Sequence, residues 1–240
     1  MKTKTEKGIS LEDKINIIFQ KEDTKLSIKT KTLIDEMLID KEQTEIMIDI
    51  IIKRASLKKN NPSILDGFIY QKVIKRSDDT VKSKLILNLP NGLLNLETFT
   101  EINYEPLQKL LIHEKFQEAD IITQQNLCKL VTLKTNNKRD WLYFTDIQFL
   151  PKKDVYIIDL LWKIYSQGKF GFSIQKSIWL NNKKKWDTLW EKIDWSNNNI
   201  MRRYPKEFLW TVEAPEGHLP LFNQLRGTQA LASLFNHIDW

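Results

Sequence analysis

Apolar residues recur with a helical period along most of the chain. In the first half Leu33, Ile34, Met37 and Leu38 stand three or four apart, as do Ile46, Ile50 and Ile51, with acids and lysines between them. At a period of about 3.6 residues each set falls on one face, which predicts a small bundle of amphipathic helices. The run Lys84–Leu89 reads equally as a strand or a buried helix end. In the second half Tyr104, Leu107, Leu110 and Leu111 line one helix, and Phe116, Ala119, Thr123, Leu127 and Leu130 a second. Val155, Ile158, Leu161, Trp162 and Tyr165 make a third, with Asp154 placed to cap or charge-stabilise its start and Gly168 to stop it. Further stripes are Trp186, Leu189, Trp190 and Ile193, then Leu221, Leu225, Leu231, Leu234 and Phe235. The period-two alternation of a large sheet is missing, so the expected class is all-α.

Texture divides the chain. All eight tryptophans lie at or beyond Trp141, whereas the first hundred residues are dominated by isoleucine, lysine and acids. Between these halves runs Pro90-Asn91-Gly92, a strong turn signal. The expected division is therefore a helical bundle over 1–95 and a second helical domain over 96–240. A chain of 240 residues with 41% hydrophobic content can bury a substantial core without staples. The single cysteine, Cys128, excludes an intramolecular disulfide framework. No apolar run approaches the roughly 20 residues of a spanning helix. The opening Met1-Lys2-Thr3-Lys4-Thr5-Glu6-Lys7 resembles neither a secretory signal nor a transit peptide, so the protein is expected to work where it is made. The net charge of +6 is lysine-heavy and scattered, which by itself describes a solvated surface.

Two connections are too long and too aromatic for plain loops. Leu133 to Phe144 ends in Trp141-Leu142-Tyr143-Phe144, and Asn197 to Pro220 carries Tyr204, Phe208, Leu209 and Trp210. Such residues either fold back on the core or line a binding surface. Arg202, Arg203 and Arg226 fall in or beside the second loop, and guanidinium forks hold carboxylates and stack on flat π systems. A flat ligand with one acidic edge suits this mixture; pairing of the arginines with Glu213 or Glu216 is the plainer alternative. No two of His113, His218 and His237 have the spacing of a metal site, and His218 reads as a brace within its loop. Nor does any spacing draw Asp146, Glu216 and His218 into a catalytic set, so no enzyme is expected. Two other readings use the same aromatic and basic loops: a module for single-stranded nucleic acid, against which the sparse arginine weighs, and a protein-interaction scaffold.

The residues then match a known family. Trp141-Leu142-Tyr143-Phe144-Thr145, Tyr165-Ser166-Gln167-Gly168-Lys169-Phe170-Gly171-Phe172-Ser173-Ile174-Gln175, and Ala214-Pro215-Glu216-Gly217-His218-Leu219-Pro220 followed by Asn223-Gln224-Leu225-Arg226-Gly227 closely resemble the Genomes-Uncoupled-Four family. Its members are tetrapyrrole-binding activators of magnesium chelatase, and the motifs occur in family order from about Tyr104 to Trp240. The resemblance implies a helical domain shaped like a cupped hand, preceded by the extra helical bundle of cyanobacterial members. It implies a non-catalytic protein that binds protoporphyrin IX or Mg-protoporphyrin IX, or a bilin, with no permanently bound cofactor. The implied partner is the porphyrin-binding large subunit of the chelatase, with no nucleic acid, a membrane approached only peripherally, and a monomeric state. By motif position Phe144 and Phe208 are expected against the macrocycle, with Trp141 and Tyr204 beside them and Asn223 and Arg226 near the propionates. Two positions depart from the family pattern. Tyr204 stands where members have Trp, and Gln229 where they carry a second arginine, so Arg202 or Arg203 would have to replace the lost charge. The resemblance also implies a protein that lacks the C-terminal extension of land-plant members. Abundant Lys, Ile and Asn point to a plastid-encoded protein of the stroma, with the cyanobacterial cytoplasm as the alternative.

Overall fold

The computed structural model describes residues 11–20, 25–57, 61–76, 80–96, 101–136, 138–198, 200–222 and 228–240, with the side chains of 11–14 left aside. Apart from one two-stranded hairpin, the regular structure among them is helical. The chain divides into two compact units, Met1–Leu94 and Asn95–Trp240.

In the first unit α1 (Leu11–Phe19), α2 (Ile28–Met37), α3 (Lys41–Ser56), α4 (Ile64–Ile74) and α5 (Thr80–Asn88) form a bundle in which α3 packs against α1, α4 and α5. Polar side chains set the helix starts. The Ser27 hydroxyl accepts from the Thr30 amide, and the Asp40 carboxylate accepts from the Gln43 amide at 2.8 Å. Ser63 and Asp66 exchange bonds in a capping box. Helix α4 is buried nearly all round, with Phe68, Ile69 and Val73 in the core. The ambiguous run Lys84–Leu89 resolves into the end of α5, with Leu85 buried. Gly92 turns the chain after it at φ 108°, its amide donating to the Leu89 carbonyl.

The second unit holds α6 (Glu105–Ile112), α7 (Phe116–Thr135), a 3-10 helix (Phe144–Phe149), α8 (Lys152–Tyr165), α9 (Phe172–Asn181), α10 (Trp186–Lys192), the strands β1 (Ser196–Asn197) and β2 (Ile200–Met201), and α11 (Thr228–His237). Helix α6 packs on both α7 and α8, and α11 packs on the 3-10 helix and α9. The faces expected to be apolar are indeed inside, with Leu107, Leu111, Ala119, Leu127, Ile158, Leu161 and Trp162 at most 1% exposed. Most tryptophans serve this core. Trp179, Trp186, Trp190 and Trp195 follow one another with ring centres about 5 Å apart, and Trp162 donates its indole N–H to Thr123 at 3.0 Å.

Asp154 stands in the first turn of α8, where an acid favours the helix start, although it is not the N-cap. Pro151 is the N-cap of α8, and Asp154, buried in the first turn, accepts a hydrogen bond from the Tyr104 hydroxyl at 2.8 Å. It thus ties α8 to the start of α6. Gly168 does end α8, at φ 80°, with its amide donating to Lys163 O. The last helix begins at Thr228, so Leu221 lies ahead of it in an extended segment, and Leu225 is outside the described residues.

Candidate functional site: a cleft between two braced loops

A cleft of about 940 Å³ opens along α7, within the range of ligand pockets. Its floor is a stripe of α7 residues at helical spacing, Asp120, Gln124, Cys128 and Thr132, adjoining the apolar stripe that enters the core. Lys138, Arg139, Asp140 and Trp141 of the first loop form one wall, and Tyr204 and Leu221 of the second loop form the other.

The first loop is shaped by α7 ending at Asn136, which adopts a left-handed conformation at φ 56°. The Asp146 carboxylate then accepts from the Tyr143 amide at 2.9 Å and pairs with Arg139 at 3.4 Å. Arg139 in turn sits 5.1 Å over the Tyr143 ring. Leu142 is buried at 2% exposure, so its neighbour Trp141 faces the cleft.

The second loop is sewn to the core at several points. Arg202 grips the Asp194 carboxylate through Nε and Nη2 and also donates to the carbonyls of Asp194 and Glu207. His218 is fully buried and works as the expected brace. Its Nδ1 lies 2.6 Å from Ile193 O, its Nε2 accepts from the Leu209 amide at 3.0 Å, and its carbonyl accepts from the Trp195 indole at 2.7 Å. This pattern requires the neutral ring with its proton on Nδ1. Burial pushes the His218 pKa down and keeps that form. Gln175 of α9 donates to the carbonyls of Gly217 and Pro220, both at 2.9 Å. The Leu221 amide closes the series by donating to the Asp120 carboxyl at 2.7 Å.

The electrostatics are uneven. Asp120 is 5% exposed, and burial pushes its pKa up to about 8 despite the Leu221 hydrogen bond, so its carboxyl is largely protonated at neutral pH. Lys129, Lys138 and Arg139 line the cleft against one other acid, Asp140. The combination is an uncharged floor with cations beside it, which suits a flat apolar body carrying acidic substituents.

The structure brings two of the expected site residues, Trp141 and Tyr204, to this cleft from opposite loops. Phe144 is half exposed at the head of the 3-10 helix and does not line it. Phe208 is 4% exposed and packs on His218 and Trp210 inside its own loop, because the loop needs an apolar centre of its own. Gln229 is exposed in the first turn of α11 and does not line the cleft. Asn223 and Arg226 lie outside the described residues. Arg202 is not free to replace a missing arginine, since its guanidinium holds the hairpin through Asp194, a different partner from the Glu213 or Glu216 weighed as the plainer alternative. The acid, base and orienter weighed for an enzyme are otherwise engaged in two of three cases, Asp146 with Arg139 and His218 in its brace. Among the described residues no group of three or more His, Cys, Asp or Glu side chains is placed to hold a metal ion, and no helix is long and apolar enough to cross a membrane.

The α7 floor was missed by sequence reasoning. The signal for it was a polar stripe at Asp120, Gln124 and Thr132, each four or eight residues from the next, on a helix whose neighbouring stripe is apolar.

Comparison with known proteins covers the second unit and, for the two longest alignments below, part of the first as well. A family model described as GUN4-like matches residues 97–238. A Pyropia yezoensis protein, ycf53, is 42% identical over 195 residues, covering 81% of both chains. A Ycf53-like protein of Synechocystis is 40% identical over 81% of this chain and 82% of its own. A chloroplastic tetrapyrrole-binding protein of Arabidopsis thaliana is 34% identical over 56% of this chain and 54% of its own. Among solved structures, GUN4 of Chlamydomonas reinhardtii matches 60% of this chain and 93% of its own at 37% identity, with a TM-score of 0.52. Ligand-free Arabidopsis GUN4 matches 60% of this chain and 97% of its own at 35% identity, with a TM-score of 0.51.

Proposed function

The chain belongs to the GUN4-like family, and from that premise we propose that it binds a porphyrin without transforming it and delivers it to magnesium chelatase, whose activity it raises. The observation that carries this reading is the cleft along α7, where Trp141 and Tyr204 approach from opposite loops over a floor whose Asp120 and Cys128 are buried. Flat aromatic faces favour a planar π ligand, and burial against them is the main source of affinity. Lys129 and Lys138 supply cations for the propionates of protoporphyrin IX or Mg-protoporphyrin IX. A bilin carries the same acidic groups on a similar π system and competes for the same space. The tetrapyrrole-binding Arabidopsis relative supports the ligand class.

In this reading porphyrin and the large chelatase subunit are linked ligands, each strengthening the binding of the other by the same factor. The protein acts where chlorophyll is made, in the plastid stroma or the equivalent cyanobacterial cytoplasm, as its plastid and cyanobacterial relatives support. The first unit is proposed as an accessory bundle to this porphyrin-binding domain.

The test is titration with a water-soluble deuteroporphyrin, following tryptophan quenching and the Soret band. Saturable one-to-one binding, weakened about tenfold or more by Trp141→Ala, supports the reading. Absence of binding to the folded protein would overturn it and leave the scaffold role. Binding that collapses with added salt and is competed by single-stranded nucleic acid would favour the other alternative. Stimulation of chelatase by wild type but not by Trp141→Ala would then tie ligand to partner.

A further inference from the structure

Residues 165–175 carry part of the family resemblance, yet none of them lines the cleft. In the fold their second half is a template on which the second loop is laid. The Lys169 carbonyl accepts from the Gly217 amide at 2.8 Å, and the Gly171 amide donates to the Leu219 carbonyl at 3.0 Å. Lys169 Nζ donates to the Val212 carbonyl at 2.6 Å. Gly171 sits at φ +137°, and a Cβ there would come within 2.7 Å of Asp159 Oδ1, so only glycine keeps this edge against the loop.

Gln175 completes the template. Its side chain is fully buried, and its one amide nitrogen gives both protons to the loop, to Gly217 O and to Pro220 O, each at 2.9 Å. Its Oε1 has no hydrogen-bond partner among the described residues, a penalty that an apolar side chain of similar size would avoid. The two bonds it donates are therefore what the amide supplies. The carbonyls that receive them bracket the segment from which the second wall of the cleft is hung. Pro220 precedes Leu221, which lines the cleft. Gly217 precedes His218, whose ring packs on Phe208 at 5.6 Å; Phe208 meets Trp210 at 6.3 Å, and Trp210 meets Tyr204 at 5.9 Å.

Resting on the porphyrin reading above, we infer that Gln175 is a positioning residue for the ligand: from α9, outside the cleft, it sets how far Tyr204 and Leu221 stand from Trp141 on the opposite wall. Without its donors two buried carbonyls must find other partners, and residues 217–220 shift to reach them. A gap of about 0.5–1 Å between a ring and its wall forfeits roughly a quarter to a half of the dispersion attraction there. Affinity then falls although no residue touching the ligand has changed.

The experiment measures the dissociation constant and the bound Soret maximum of deuteroporphyrin, well below the melting temperature, in wild type, Gln175→Met, Gln175→Glu and Tyr104→Phe. Gln175→Met keeps the length of the side chain and removes both donors, so the dissociation constant should rise about tenfold and the Soret maximum should move back toward that of the free ligand. A glutamic acid buried against two carbonyls stays protonated and keeps one donor, so Gln175→Glu should fall between Gln175→Met and wild type. Tyr104→Phe removes the bond to Asp154 and should lower the melting temperature with both readouts unchanged. If Gln175→Met behaves like Tyr104→Phe, less stable but with affinity within about twofold of wild type and the Soret band unmoved, Gln175 only stabilises the fold and the inference is overturned. Circular dichroism checks folding; should Gln175→Met not fold, wild-type values in Gln175→Glu overturn the inference in its place. If wild type binds no porphyrin, the porphyrin reading itself fails, and the inference with it.

Discussion

The loop carrying Tyr204 should depend on a single buried imidazole. Replacing His218 with alanine removes the acceptor for the Leu209 amide and the donor to the Ile193 carbonyl, while the Trp195 bond to the backbone of residue 218 survives. The Ile193 side is fully buried, so its orphaned carbonyl costs roughly 1–3 kcal/mol, and the half-exposed Leu209 side about 1 kcal/mol. Removing a ring from a site with no exposed surface, against Phe208 at 5.6 Å, adds a cavity worth about 1–2 kcal/mol. The sum of about 3–6 kcal/mol corresponds to a Tm loss of roughly 10–20 °C for a unit of this size. Differential scanning calorimetry of wild type and variant at pH 7.5 measures it. A drop below about 3 °C would refute the reasoning, because it would mean the two backbone groups find partners as good as the imidazole. The pH dependence has a definite sign. Burial lowers the folded pKa of His218, so below its ordinary value of 6.5 the unfolded chain takes up a proton that the folded chain refuses. The advantage of wild type over His218→Ala is therefore full above pH 6.5 and shrinks as pH falls through that value.

Three further outcomes follow from the same geometry. Arg202→Ala should cost about 1–2 kcal/mol in chemical denaturation while leaving porphyrin affinity within about twofold, because the guanidinium holds Asp194 and not a ligand; a loss of affinity without a loss of stability would contradict this. Gly217→Ala should destabilise by about 3 kcal/mol in urea melts, since Gly217 adopts φ +78° and an added Cβ would come within 2.8 Å of Ile178 Cδ1 and 2.9 Å of Ile193 Cγ2. Asp120 holds in the fold a proton that the unfolded chain loses above 3.8, so its contribution is present at low pH and is lost as pH rises to about 8. Asp120→Asn should accordingly gain on wild type by at most about 1.4 kcal/mol per pH unit between pH 5 and pH 8, and parallel stability profiles would count against it.

Local pattern was enough for the helices. Leu107 and Leu111, or Ile158 and Leu161, are buried because a helical period and an apolar side chain leave no other place for them. The same local logic identified Trp141 and Tyr204 as loop aromatics without a helical face to occupy, and His218 as the residue bracing its loop. Where several partners competed for one side chain, local pattern misled. Asp154 stands at the helix start as expected, but its hydrogen-bond partner is Tyr104, fifty residues away in the chain, and Arg202 looked available to a propionate but is taken by Asp194. Phe208 resembled Tyr204 in sequence, yet one packs inside the loop and the other lines the cleft. Only the fold could decide these cases, because burial and hydrogen bonding depend on which distant segments meet. The cleft floor shows the same limit most clearly. Asp120 reads as an ordinary polar position on an exposed helix face until Leu221, 101 residues later, closes over it and turns a surface acid into a buried one. Sequence periodicity sets which face of a helix is apolar; what covers the neighbouring face is a property of tertiary contacts, and in this protein that is where the chemistry of the site arises.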